Sequence, residues 1–140
     1  MANDEDRLVV ETDFPVRYAE TDSMGVVHYT TYLVYFEEGR SQFMRDIGSD
    51  YALIEAEGYQ LPVTELGIRY VGSLRYGERA KVRTWVEESR SRRITFAYEV
   101  QEPDTGTTLV SGFTRHVWTD KHGNVVRIPD SWNKLFSNVS

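Results

Sequence analysis

At 140 residues, 40% of them hydrophobic and 27% charged, the sequence has the size and balance of one soluble globular domain. A formal charge of -6 argues against the dense basic surface that nucleic-acid binding requires, and zero cysteines exclude disulfides, thiolate catalysis and cysteine-built zinc sites. No run of about 18 apolar residues is available to cross a bilayer, and the acidic start MANDEDRLVV lacks the basic-then-apolar order of a signal peptide, so a cytoplasmic protein is expected.

In chain order, residues 9–18 predict a strand of imperfect alternation that ends near Ala19. The stretch from Glu20 to Gly25 then carries turn chemistry: Thr21, Asp22 and Ser23 are capping residue types, and Gly25 is free to take a positive φ. A long helix is expected over 29–47, because Tyr29, Tyr32, Leu33, Phe36, Phe43, Met44 and Ile47 fall largely on one face while Glu37, Glu38, Arg45 and Asp46 lie to the side. Gly39 inside that helix costs roughly 1 kcal/mol relative to alanine, which suggests that a tightly wrapped sheet approaches there. A short second helix is expected over 49–56, closed by Gly58.

From Leu61 onward the pattern turns to strands, near 61–75, 79–90, 93–102 and 107–119, with turns at 76–78, 91–92 and 103–106. Another turn at 120–124 leads to a short extended segment at 125–127, and Pro129 opens a final helical piece, 130–137, carrying Trp132, Leu135 and Phe136. No repeat or linker interrupts this order. A single domain over 1–140 with its core at about 9–130 is therefore expected, of α+β class, with a sheet that curls its apolar face around the helix before it.

Asp22 stands out chemically. It sits in the loop feeding the long helix, where the helix dipole and unpaired N–H groups favour an anionic carboxylate, fit to act as base or nucleophile, and where the same N–H groups can receive a developing oxyanion. An aspartate there is equally suited to a plain helix N-cap. Arg83, Arg90, Arg92 and Arg93 are close in sequence and suit either a few phosphates of a small ligand or a solvated hairpin tip. The three histidines, His28, His116 and His122, share no metal-ligand spacing with a carboxylate, so no metal is expected; no Gly-x-Ser-x-Gly elbow supports a serine nucleophile.

The run Asp22-x-x-Gly25-Val26-Val27-His28-x-x-x-Tyr32-Leu33-x-x-Phe36-Glu37, with Tyr18 four residues ahead of the aspartate, resembles the signature of the 4-hydroxybenzoyl-CoA thioesterase family. Close relatives there include the short-chain acyl-CoA thioesterases associated with the Tol-Pal system. The likeness continues through Leu66-Gly-Ile-Arg-Tyr70 and Arg75-Tyr-Gly77-Glu78 to Val125-Val-Arg-Ile-Pro129, covering most of residues 12–130. It implies a hotdog fold, an antiparallel sheet wrapped around one long helix. It also implies sites buried at a dimer interface, and so a homodimer or homotetramer.

The implied activity is hydrolysis of an acyl-CoA to the free acid and CoA, with CoA as part of the substrate and no separate cofactor. Asp22 matches the family's catalytic aspartate, general base or nucleophile. Tyr29 occupies the position whose backbone N–H polarises the thioester oxygen, with Gly25 in the preceding loop. Tyr18 matches a tyrosine near the site whose hydroxyl would orient Asp22 or water; a core or interface tyrosine is the other reading. His28 departs from the pattern, since several relatives carry Tyr-His where this chain has His28-Tyr29, and both a substrate-orienting and a structural imidazole stay open.

Glu37 is expected to be structural, although some hotdog thioesterases use a glutamate on the central helix. By location and residue type, Arg90, Arg92 and Arg93 would meet the CoA phosphates. A hotdog module that binds acyl-CoA without cleaving it is the competing function, and a hotdog dehydratase is disfavoured by the absence of its motif. Neither the acyl group nor the choice between CoA and an acyl carrier protein is encoded in any motif.

Overall fold

The computed structural model describes residues 7–49 and 51–140. The first strand, β1 (Val10–Pro15), ends earlier than expected. Pro15 has no N–H to donate, and Val16 turns away to donate its own N–H to the Glu78 carbonyl at 2.9 Å. Tyr18–Glu20 then forms a single 3-10 turn instead of more strand. It is closed by the Glu20 carboxylate, which accepts the Arg17 N–H at 2.8 Å and the Arg17 guanidinium at 2.6 Å.

The long helix, α1 (Thr31–Asp46), buries Tyr32, Tyr35, Phe36, Gly39, Phe43 and Met44, the three-and-four-step face that drives an amphipathic helix onto a sheet. Two assignments change. Tyr29 lies ahead of the helix and is 64% exposed, whereas Tyr35, absent from the expected face, is buried. A second helix, α2 (Tyr51–Ala56), follows; the expected start at 49 abuts residue 50, which lies outside the described residues.

The meander comprises β2 (Tyr59–Gln60), β3 (Val63–Tyr70), β4 (Arg79–Ser89), β5 (Arg93–Glu102), β6 (Thr107–Val117) and β7 (Thr119–Asp120), before α3 (Asp130–Val139). Residues 125–127 form no strand and keep only an isolated bridge from Val125 to Thr119. The main sheet runs β1-β4-β5-β6-β3 with every neighbour antiparallel, and β2 pairs with β7 beside it.

α1 lies against this sheet. Phe36 stacks on Tyr98 of β5 at 4.4 Å between ring centres, and Phe43 meets Phe96 edge-on at 5.9 Å. The approach is closest at Gly39, where an added Cβ would come within 2.5 Å of the Thr84 hydroxyl and 2.7 Å of a Val82 methyl. A residue with a side chain there would push the helix off β4. β3, at one edge of the sheet, exposes Val63, Leu66 and Tyr70 along an outer side with no partner strand among the described residues. Among the described residues no helix is long and apolar enough to cross a membrane.

Candidate active site

Residues 20–28 fold back on themselves as a small hairpin. His28 donates its N–H to the Glu20 carbonyl at 2.8 Å, Thr21 bridges Val27, and Asp22 donates its N–H to the Val26 carbonyl at 2.8 Å. Gly25 makes the tip with φ +81°, the left-handed conformation that a Cβ disfavours. The hairpin is pinned to the chain ahead of β4, where Val27 donates its N–H to the Leu74 carbonyl at 2.9 Å and Val26 bridges Arg75.

Within the tip, Asp22 Oδ1 accepts the N–H of Met24 at 2.8 Å and that of Val26 at 3.4 Å. Asp22 therefore does not cap the long helix: α1 starts nine residues later, after Thr30. The carboxylate caps its own turn instead, in the manner of an Asx-turn. This use engages one oxygen; Oδ2 has no hydrogen-bond partner among the described residues.

The approach to α1 is set by His28. Its Nδ1 accepts the Thr30 N–H at 3.2 Å and lies 2.7 Å from the Thr30 hydroxyl, so in the neutral ring the proton sits on Nε2. The imidazole supplies the acceptor that a side-chain N-cap would give, and it stacks on Tyr29 at 4.7 Å. Tyr29 carries the chain between hairpin and helix; its carbonyl accepts the Tyr70 hydroxyl at 2.7 Å, and its N–H meets no acceptor among the described residues. Tyr18 is not a strand tyrosine: it sits on the 3-10 turn, 76% exposed, edge-on to Tyr76 at 5.6 Å, with no hydrogen bond from its hydroxyl to Asp22. Asp22, Gly25 and His28 thus share one hairpin with Tyr29 directly after it, and Tyr18 flanks them.

The arginines divide. Arg83 sits on β4 and pairs with Glu99 at 3.0 Å and Glu11 at 3.6 Å, away from the hairpin that follows. At that hairpin Arg90 and Arg93 share the Glu88 carboxylate at 3.0 and 3.3 Å, while the Arg92 side chain has no ion-pair partner among the described residues. Glu37 is exposed on α1 and lines a cleft with Arg40 and Tyr51.

A long helix wrapped by an antiparallel sheet is matched by known proteins. The sequence profile described as the thioesterase-like superfamily matches residues 16–136. The chain belongs to the thioesterase-like superfamily. YneP of Bacillus subtilis, described as a candidate acyl-CoA thioesterase, is 36% identical over 113 residues, 81% of each chain. A DHNA-CoA thioesterase of Staphylococcus aureus superimposes with a TM-score of 0.88 at 32% identity, over 94% of this chain and 90% of its own. A hypothetical protein of Thermus thermophilus does so with 0.88 at 40%, over 93% and 98%. The architecture is the hotdog fold of that superfamily, and the enzyme class is thioester hydrolase.

In this thioesterase two sets of supporting residues escaped the sequence reading. Glu20, just before the hairpin, also accepts the Tyr35 hydroxyl at 2.9 Å. Burial raises the Glu20 carboxyl, but the bonds from Arg17 and Tyr35 outweigh it and leave the group below its ordinary range. Burial, and then donation to that carboxylate, hold the Tyr35 hydroxyl well above its ordinary range. An i, i+3 pair of opposite charge, Arg17 and Glu20, was the visible signal.

Deeper in, Arg40 donates to the Tyr98 hydroxyl at 3.1 Å, and that oxygen lies 2.6 Å from Thr114 Oγ1, which lies 2.8 Å from His116 Nε2. His116 Nδ1 is 2.9 Å from the Leu61 carbonyl. A carbonyl only accepts, so Nδ1 carries the proton and Nε2 accepts from Thr114, which in turn accepts from Tyr98. One proton order satisfies the chain from α1 to the segment entering β3. Burial, and then the Arg40 charge, lower the His116 pKa to about 4.

Proposed function

We propose that this protein is an acyl-CoA thioesterase of the 4-hydroxybenzoyl-CoA thioesterase type, similar to the Tol-Pal-associated enzymes, with Asp22 as its catalytic carboxylate. The observation that carries this reading is the division of labour within that carboxylate: Oδ1 is anchored by two backbone N–H groups, and Oδ2, in the loop ahead of α1, has no hydrogen-bond partner among the described residues. An anchored carboxylate with one free oxygen is pre-oriented for proton abstraction or attack. As general base, Oδ2 takes a proton from water as the water oxygen adds to the thioester carbonyl; the C–S bond then breaks and the proton passes to the departing CoA sulfur. As nucleophile, Oδ2 adds to the thioester carbonyl, the C–S bond breaks to release the CoA thiolate and leave a mixed anhydride, and water then cleaves the anhydride to the free acid and the regenerated Asp22 carboxylate, its proton passing to the CoA sulfur.

Either route builds negative charge on the thioester oxygen, and the Tyr29 N–H, without an acceptor among the described residues, is suited to receive it, with Gly25 keeping the tip clear. His28 and Tyr18 would flank the substrate. Arg90, Arg92 and Arg93 would meet the CoA phosphates. The similarity to the thioesterases of Bacillus subtilis and Staphylococcus aureus supports the CoA thioester as substrate class. The open, partly apolar edge of β3 supports assembly into a homodimer or homotetramer, by the pairing that an uncovered edge invites.

The test is CoA release from a panel of aliphatic and aromatic acyl-CoAs by the wild-type protein and Asp22→Asn. Asparagine keeps an Oδ1 acceptor for the Met24 and Val26 N–H groups, so the hairpin is retained and only the charge is removed. Turnover is expected to fall by about 10² to 10⁴. Undiminished turnover in the variant refutes Asp22 as the catalytic group. Tight acyl-CoA binding with no turnover by the wild type would instead identify a binding module.

A further inference from the structure

The central helix holds both arms of the Asp22 hairpin through two tyrosine hydroxyls on one of its faces. Tyr32 and Tyr35, i and i+3 on α1, are both buried and meet edge-on with ring centres 5.7 Å apart. Tyr32 reaches the second arm through Leu74: its hydroxyl accepts the Leu74 N–H at 3.0 Å, and the Leu74 carbonyl accepts the Val27 N–H. Tyr35 reaches the first arm by donating its hydroxyl to Glu20 Oε1 at 2.9 Å. The Glu20 side chain is only 11% exposed, and its two oxygens divide their partners. Oε1 takes the Tyr35 hydroxyl and the Arg17 N–H, while Oε2 takes the Arg17 guanidinium. The backbone carbonyl of the same residue accepts the His28 N–H that closes the hairpin. Thr21, between Glu20 and Asp22, is fixed by its N–H and its hydroxyl on the Tyr18 carbonyl, at 3.1 and 2.7 Å, so the chain has no slack at that step.

We propose that Tyr35 and Glu20 are positioning residues for the reaction, a strut from α1 that fixes where the Asp22 carboxylate stands relative to the Tyr29 N–H. The inference rests on the thioesterase reading, with Asp22 as its carboxylate. Packing alone does not call for the Tyr35 hydroxyl: the ring meets Phe14 at 4.9 Å and Tyr32 at 5.7 Å, and phenylalanine would keep both contacts. The phenol adds a buried donor that has to find an acceptor, and the one it finds is the carboxylate of the residue that opens the hairpin. Asp22 lies two positions after Glu20, and Tyr29 directly follows His28, whose N–H is held by the Glu20 carbonyl, so both reacting groups are referred to the same residue. Releasing Glu20 from α1 lets the base of the hairpin shift against the start of the helix. A misplacement of about 1 Å costs up to about 10²-fold in rate when reacting groups must meet near contact distance. The loss falls on kcat, because neither Tyr35 nor Glu20 is among the groups that would hold the substrate.

Steady-state kinetics with acyl-CoA and amide hydrogen exchange, on the wild-type protein and its variants, test this together. Tyr35→Phe keeps the ring and is expected to lower kcat about tenfold while KM stays within about twofold. Glu20→Ala should lose at least as much, and the double variant should be no slower than Glu20→Ala alone, because the two changes break one connection. Glu20→Gln keeps an amide oxygen at the Oε1 position for the Tyr35 hydroxyl and the Arg17 N–H, and should retain kcat to within about threefold. In exchange, the Asp22 and His28 amides should lose about tenfold in protection in Tyr35→Phe while the amides of β5 keep theirs. An unchanged kcat, a loss confined to KM, losses that multiply in the double variant, a Glu20→Gln protein as slow as Glu20→Ala, or unchanged hairpin protection overturns the assignment. Hairpin protection lost in Tyr35→Phe, in a protein whose wild type turns over no acyl-CoA, would defeat the thioesterase reading and leave Tyr35 and Glu20 assigned as the anchor of the hairpin.

Discussion

His116 gives the fold a dependence on pH that can be worked out from its surroundings. The side chain is fully buried, donates to the Leu61 carbonyl and accepts from Thr114, with Arg40 at the far end of the same chain of hydrogen bonds. Protonation would put a second proton on Nε2, against the Thr114 hydroxyl that donates to it, and a second positive charge near Arg40. Burial and Arg40 accordingly lower its pKa from 6.5 to about 4. Below the unfolded value the unfolded chain takes up a proton that the folded chain refuses, so stability falls as pH falls, beginning near 6.5 and levelling only below the folded value near 4. At 1.36 kcal/mol per unit, the loss is about 2 kcal/mol between about pH 7 and about pH 5, and about 3 kcal/mol by about pH 4. Carboxylates with lowered values act mainly below about pH 4.5, leaving the upper part of the window to histidine.

Urea unfolding at fixed protein concentration, at intervals from about pH 7 to about pH 5, measures the slope directly. His116→Asn keeps a donor for the Leu61 carbonyl, removes the titrating ring and loses the edge contact with Phe96. Its baseline stability drops, but its slope over this range should flatten. A variant that retains the wild-type slope would refute the attribution to His116.

Two further outcomes test the packing that holds the candidate site. Gly39→Ala gains about 1 kcal/mol of helix propensity but drives a Cβ into Thr84 and Val82, both stiff β-branched residues, at an overpacking cost of about 1–3 kcal/mol. A net loss of stability is expected on denaturant unfolding, and a gain would show that α1 can ride away from β4. Tyr32→Phe removes the hydroxyl that accepts the Leu74 N–H at 3.0 Å in a buried setting, leaving that N–H unsatisfied at a cost of about 1–3 kcal/mol. Unchanged stability in that variant would mean that the N–H finds another acceptor.

Much of the architecture was legible because it is written in short-range patterns. The period of α1, the strands at 93–102 and elsewhere in the meander, the positive φ of Gly25 and the close approach at Gly39 each follow from a few neighbouring residues. What the sequence hid depends on partners far along the chain. Tyr35 is buried with its hydroxyl on Glu20, fifteen positions away, and no helical period points to that bond. Arg83 looked like part of a basic group until Glu11 and Glu99 claimed it across the sheet. Arg127 and Arg90 line one cleft only because the segment before α3 returns to Ser91.

The candidate catalytic hairpin obeys the same rule. Its residues could be named from the motif, but its position comes from the Leu74 carbonyl, which takes the Val27 N–H, and from the Tyr32 hydroxyl, which takes the Leu74 N–H. Leu74 is thus a two-sided clamp, joining the Asp22 loop to the first turn of α1 through the chain that enters β4. A loop positioned this way cannot hold its geometry until the turn ahead of β4 has docked, so the folding of the meander and the orientation of Asp22 are coupled by two hydrogen bonds at one buried residue, one to a backbone N–H and one to a side-chain hydroxyl.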